Sequence, residues 1–202
     1  MVMVKICGLT NVDDALAAVD LGVDMVGFVF APSTRQVTRE TVAGIVERLP
    51  SGVSTVGVFV DAPLEEVQET MRVCDLSLAQ LHGSESPEFC QAVGPQVMKS
   101  FRVKDDSVLD LMPRYEVQAY LLDGYDPVLK GGAGRTFDWE IARTAQAYGR
   151  IVLSGGLTEE NVRTAVAYVK PYAVDVCSGV EGRPGVKDHA RMRAFVRAVK
   201  EG

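Results

Sequence analysis

The sequence predicts one α/β domain over residues 1–202, a (β/α)8 TIM barrel with parallel strands, and three observations predict it. Eight short apolar runs recur along the chain, at residues 2–6, 24–30, 53–60, 76–81, 96–101, 118–122, 150–153 and 172–177. The segments between them carry apolar residues at three-to-four spacing, the period of a helix with one covered face. Runs such as Val58-Phe59-Val60, Tyr120-Leu121-Leu122 and Ile151-Val152-Leu153 are apolar without alternation, as strands buried on both faces of a parallel sheet are. A doubly wound open sheet shares this alternation. Eight units of about 25 residues fit a closed barrel at the short end of its usual ~250 residues.

Taken in order, the first run ends in Lys5-Ile6-Cys7-Gly8-Leu9-Thr10, and Thr10 or Asn11 is the expected cap of the first helix. That helix reads from Ala15, Leu16 and Val19 and stops before Gly22; the next reads from Ile45, Val46 and Leu49 and stops at Pro50. After the third run, Asp61 in Val60-Asp61-Ala62-Pro63 is the simplest N-cap of the third helix. The later runs repeat the pattern. The one irregular stretch is residues 124–136, glycine-rich and longer than the ~4 to 6 residues usual for a connection, which suggests a lid. Lys187 and Asp188 are expected to open the last helix.

Composition narrows the function classes. With 47% hydrophobic residues the chain can bury one substantial core, and a formal charge of −6 argues against a general nucleic-acid binder. No run reaches the ~20 apolar residues of a membrane span, and no secretory signal pattern follows Met1, so a cytoplasmic protein is expected. The four cysteines contain no C-x-x-C pair, which suggests neither a zinc site nor a dithiol motif. Gly132-Ala133-Gly134 lacks the third glycine of a dinucleotide loop, and no Gly-Lys-Ser/Thr phosphate loop exists, so no cofactor is expected.

In such barrels the active site lies at the carboxyl ends of the strands. The residues there are chemical ones: Cys7; Ser33 and Arg35; Asp61; His82 in Gln80-Leu81-His82-Gly83; Arg102; Asp123; Ser154-Gly155-Gly156; and Ser178-Gly179. Gly155 and Gly156, with Ser178 and Gly179, follow the seventh and eighth strands, the recurrent phosphate site of these barrels, where backbone N–H groups and helix N-termini can face an anion. The same glycines also suit tight turns. Arg35 is either a bidentate carboxylate contact or a solvated surface arginine. Asp123 ends an apolar approach that would desolvate it as a general acid requires, or it caps a turn. His82 is an acid, a base or a backbone hydrogen-bonding residue. Cys7 is either a small core residue or a reactive thiol.

Assembled, these blocks resemble the phosphoribosylanthranilate isomerase family of tryptophan biosynthesis, and the resemblance runs end to end. It rests on Lys5-Ile6-Cys7-Gly8-Leu9-Thr10, Gly27-Phe28-Val29-Phe30 with Pro32-Ser33-Thr34-Arg35, Val56-Gly57-Val58-Phe59, Gln80-Leu81-His82-Gly83 and Leu121-Leu122-Asp123. Further on it rests on residues 131–139, Leu153-Ser154-Gly155-Gly156-Leu157, and Ser178-Gly179-Val180-Glu181 with Pro184-Gly185-Val186-Lys187-Asp188. The resemblance implies an Amadori rearrangement of a phosphorylated small molecule without metal or cofactor. It implies Cys7 as general base, Asp123 as general acid, Arg35 on the anthranilate carboxylate, and the paired glycine turns on the phosphate. A second serine often precedes the position of Ser178 in that family, and here Cys177 stands there. A monomer or a homodimer is expected. The competing readings are a neighbouring phosphate-binding barrel, with aspartate in place of Cys7 or a lysine acid at the mouth, and a non-catalytic sugar-phosphate-binding barrel, which would lack Cys7 or Asp123.

Overall fold

In the computed structural model, which describes residues 1–124 and 138–201, the eight apolar runs become eight parallel strands closed into one barrel. They are β1 (Met3–Ile6), β2 (Met25–Val29), β3 (Ser54–Phe59), β4 (Leu78–Leu81), β5 (Val97–Arg102), β6 (Ala119–Asp123), β7 (Ile151–Ser154) and β8 (Ala173–Val176). Each pairs with its sequence neighbours, and β1 closes the ring on β8 with Lys5 opposite Asp175 and Ile6 opposite Val176. The open sheet is thereby excluded. The expected lid at residues 124–136 lies, apart from Gly124, outside the described residues.

Helices α1 (Val12–Asp20), α2 (Arg39–Val46), α3 (Leu64–Val73), α4 (Pro87–Val93), α5 (Val108–Leu111), α6 (Trp139–Ala145), α7 (Val162–Val169) and α8 (His189–Lys200) fill the crossovers. Several begin at side-chain caps that take up an otherwise unpaired N–H: Asn11 on α1, Thr38 on α2, Ser86 on α4, Asp138 on α6 and Asp188 on α8. Asp61 does not cap α3, whose N-cap is Pro63 without a side-chain bond. Instead Asp61 takes a left-handed backbone (φ 50°), and its carboxylate accepts the Ser84 N–H at 2.6 Å, tying the loop after β3 to the loop after β4. Among the described residues no helix is long and apolar enough to cross a membrane.

Two apolar layers hold the ring. Outward-facing strand residues such as Val4, Ile6, Val26, Phe28 and Leu153 pack on the helices. Inward-facing Met25, Val56, Leu78, Met98, Leu121 and Val152 fill the amino-terminal half of the interior. Side chains alternate along a strand, so each inward position one step nearer the carboxyl ends lies on the same face. There the filling turns polar: Lys5, Gln80, Ser100, Ser154 and Asp175 are all buried. A two-stranded hairpin absent from the sequence reading follows β8, formed by β9 (Glu181–Arg183) and β10 (Val186–Lys187). Lys187 belongs to β10 and does not open α8. Its ammonium is buried inside the hairpin, where Glu181 supplies the counter-charge.

Candidate active site

Counting on by two from Met3 and Lys5 brings Cys7 to the mouth, and the same step along β8 brings Cys177 beside it. Cys7 donates its backbone N–H to Val176 O at 2.9 Å, which extends the β1–β8 ladder by one residue. The thiol is buried. The Cys177 thiol hydrogen-bonds to its sulfur and, with the Lys5 ammonium, lowers its pKa from 9.0 to about 6, against the opposing effects of burial and the Asp175 carboxylate. Cys177 is pushed the other way by that same hydrogen bond and stays a thiol. Lys5 is fully buried; desolvation disfavours its charge, but the Asp175 carboxylate at 2.8 Å and the Cys7 sulfur together outweigh it and keep it an ammonium. Ser154 donates to the other Asp175 oxygen at 3.0 Å.

Across the ring, Asp123 ends β6. Its carboxylate is half-buried and faces the His82 imidazole, with 3.2 Å between Oδ2 and Nε2, rather than an apolar wall. The Gln80 amide donates to His82 Nδ1 at 3.0 Å, which leaves Nε2 as the donor toward Asp123. A second buried ion pair, Lys99 to Glu85 at 2.8 Å, stiffens this side. Lys99 also holds the carbonyls of Leu81 and Gly83, on either side of His82.

Between these two sides lie the loops after β7 and β8. Gly155 and Gly156 both take positive φ, 84° and 62°, as the tight-turn reading expects. The N–H groups of Gly156, Ser178 and Gly179 have no acceptor among the described residues. Gly156, Ser178 and Gly179 share one hollow of about 300 Å³ with Thr158 and Arg191. The helical start at this hollow is a single 3-10 turn, Ser178–Val180; α7 begins only at Val162. Gly179 lies against the Leu157 carbonyl so closely that a Cβ would collide with it. Gly179→Ala is therefore expected to part the two loops and lower the melting temperature by several degrees, readable in a thermal melt. A larger hollow of about 560 Å³ opens over β4 and β5, with His82 on its rim and neither Cys7 nor Asp123 in its lining.

Arg35, after β2, is half-buried and already paired. Its Nε and Nη2 clasp the two oxygens of Glu181 at 2.7 and 2.6 Å. The sequence reading missed Lys5, Asp175, Glu181 and the orientation of Cys177, which faces Cys7. The available signal was the closure itself: in a ring β1 meets β8, so a lysine and an aspartate two residues before two strand-end cysteines must face each other.

Residues 4–198 match the family model of N-(5'-phosphoribosyl)anthranilate (PRA) isomerase. The chain is 55% identical to the N-(5'-phosphoribosyl)anthranilate isomerase of Geobacter sulfurreducens over 99% of both proteins. A crystal structure of phosphoribosyl anthranilate isomerase from Thermotoga maritima superposes over 100% of both chains with TM-score 0.90 and 41% identity. Another isomerase structure, in complex with reduced 1-(o-carboxyphenylamino)-1-deoxyribulose 5-phosphate, superposes over 100% of both chains with TM-score 0.88 and 38% identity.

Proposed function

The chain belongs to the PRA isomerase family, enzymes of tryptophan biosynthesis, and from that premise we propose that Cys7 and Asp123 are the base and acid of its Amadori rearrangement. The substrate on this reading is N-(5'-phosphoribosyl)anthranilate. The phosphate lies on the N–H groups of Gly156, Ser178 and Gly179, with Gly155 shaping the turn, and Arg35 meets the anthranilate carboxylate. Asp123 gives its proton to the ribose ring oxygen as the C1'–O bond opens, leaving a Schiff base. Cys7 then removes the C2' proton, and the electron pair moves to form the enolamine, which tautomerises to the ketose product.

The observation that carries this reading is the pairing of a depressed thiol with a carboxyl group across one mouth, with the phosphate hollow between them. Cys7 with a pKa of about 6 is a thiolate at neutral pH, as a base must be before it acts. His82 supports the acid: when Asp123 releases its proton, the Nε2–H faces the carboxylate that forms. The test is turnover of phosphoribosylanthranilate by purified protein with no metal or nucleotide added; absence of reaction would shift the reading to the neighbouring barrels. In the same assay Arg35→Ala should raise KM about 10-fold or more with a smaller change in kcat, since the contact it removes is made in the ground and transition states alike.

A further inference from the structure

The hairpin β9–β10 sets one acidic side chain, Glu181, against Arg35. Glu181 begins β9 and is cross-strand partner to Lys187 on β10. Lys187 holds Glu181 Oε1 at 3.2 Å and Cys177 O at 3.0 Å, and the Gly185 N–H adds a third bond to Oε1 at 3.3 Å. The hairpin is pinned in turn to the loop after β1, where Thr10 donates to Gly185 O at 2.6 Å. Glu181 is therefore fixed from behind. Toward the mouth it presents both oxygens to Arg35.

A guanidinium has two edges that can grip a carboxylate bidentately, one through Nε and Nη2 and one through Nη1 and Nη2. Glu181 occupies the first. The second, with both Nη1 hydrogens, has no partner among the described residues. Arg35 and Lys187 stand against Glu181 in this corner, and the Cys7 and Cys177 sulfurs lie near enough to act on the Arg35 charge. The Arg35 side chain passes close to Gly8 beside the Cys177 sulfur, on the Cys7 side of the mouth.

We infer that Glu181 is a positioning residue that sets carboxylate specificity: by clasping one edge of Arg35 it leaves the Nη1–Nη2 edge as a preformed bidentate site. The inference rests on Arg35 as the carboxylate contact. A long arginine side chain held in one orientation loses less freedom when ligand binds, so anchoring it strengthens the contact without touching the ligand.

Calorimetric titration with two stable ligands tests this: reduced 1-(o-carboxyphenylamino)-1-deoxyribulose 5-phosphate and the same molecule without its carboxyl group. Glu181→Gln should weaken the carboxylated ligand by about 10- to 100-fold and the other by less than about twofold. Glu181→Gln with Lys187→Met, which removes the buried unpaired ammonium, should show the same selective loss if the single variant fails to fold. In an Arg35→Ala background Glu181→Gln should change neither affinity further. Equal loss of both ligands, no loss, or tighter binding of the carboxylated ligand in Glu181→Gln would overturn the inference. Arg35→Ala that still discriminates between the ligands would overturn the Arg35 reading beneath it.

Discussion

Cys7→Ala and Asp123→Asn should each lose roughly 10²- to 10⁴-fold in kcat, the range a positioned acid or base supplies, while substrate still binds through Arg35 and the phosphate turns. Full turnover by Cys7→Ala would end the proposed mechanism. The pH dependence carries the sharper test. With the Cys7 pKa near 6, kcat/KM should fall about tenfold per pH unit below that value, and the ultraviolet absorbance of the thiolate should titrate at the same midpoint in wild type and be absent in Cys7→Ala. Stability has a matching sign. The folded value lies below the ordinary 9.0, so unfolding takes up a proton between about pH 6 and 9. The thiol's contribution is full above pH 9 and lost as pH falls through about 6. Urea midpoints of wild type, compared with Cys7→Ala, should therefore rise across that window.

Much of the fold and of the mouth is legible in the sequence, because the barrel's logic is periodic. Unbroken apolar runs give strands covered on both sides, eight of them give closure, and strand ends give the mouth; that reasoning places Cys7, His82, Asp123 and the two glycine turns. The reading failed where physics depends on what lies across the ring. Lys5 looks like an interruption of an apolar run, and Asp175 like another, until the β1–β8 register sets them opposite each other. Asp61 fits the N-cap pattern before Pro63, but its left-handed backbone turns the carboxylate to the Ser84 N–H. Asp123 follows three apolar residues in sequence, yet its neighbour in space is the His82 imidazole. Glu181 and Lys187 belong to a hairpin of three and two residues, too short to leave a pattern.

Lys5→Met carries the largest expected effect on stability, and it separates two causes that act on one sulfur. Removing a fully buried ammonium leaves Asp175 with only Ser154 and no counter-charge. A buried carboxylate stranded in this way costs about 3 to 5 kcal/mol, roughly 10 °C in Tm for a domain of this size. Lys5→Met/Asp175→Asn should recover most of that, because the pair disappears together. The thiol should not recover with it. Lys5 lowers the Cys7 pKa through its charge and a hydrogen bond, and this outweighs the opposing charge of Asp175. The double variant, stable again, should therefore titrate above 6. Cys177→Ala removes the larger contribution, the S–H donated to the Cys7 sulfur, and should move the midpoint further still while leaving the Lys5–Asp175 pair in place. Cys177→Ser keeps a donor at the same position and should move it least. A double variant that still titrates near 6 would leave the Cys177 hydrogen bond as the sole source of the thiolate, and would make Lys5 a purely structural charge.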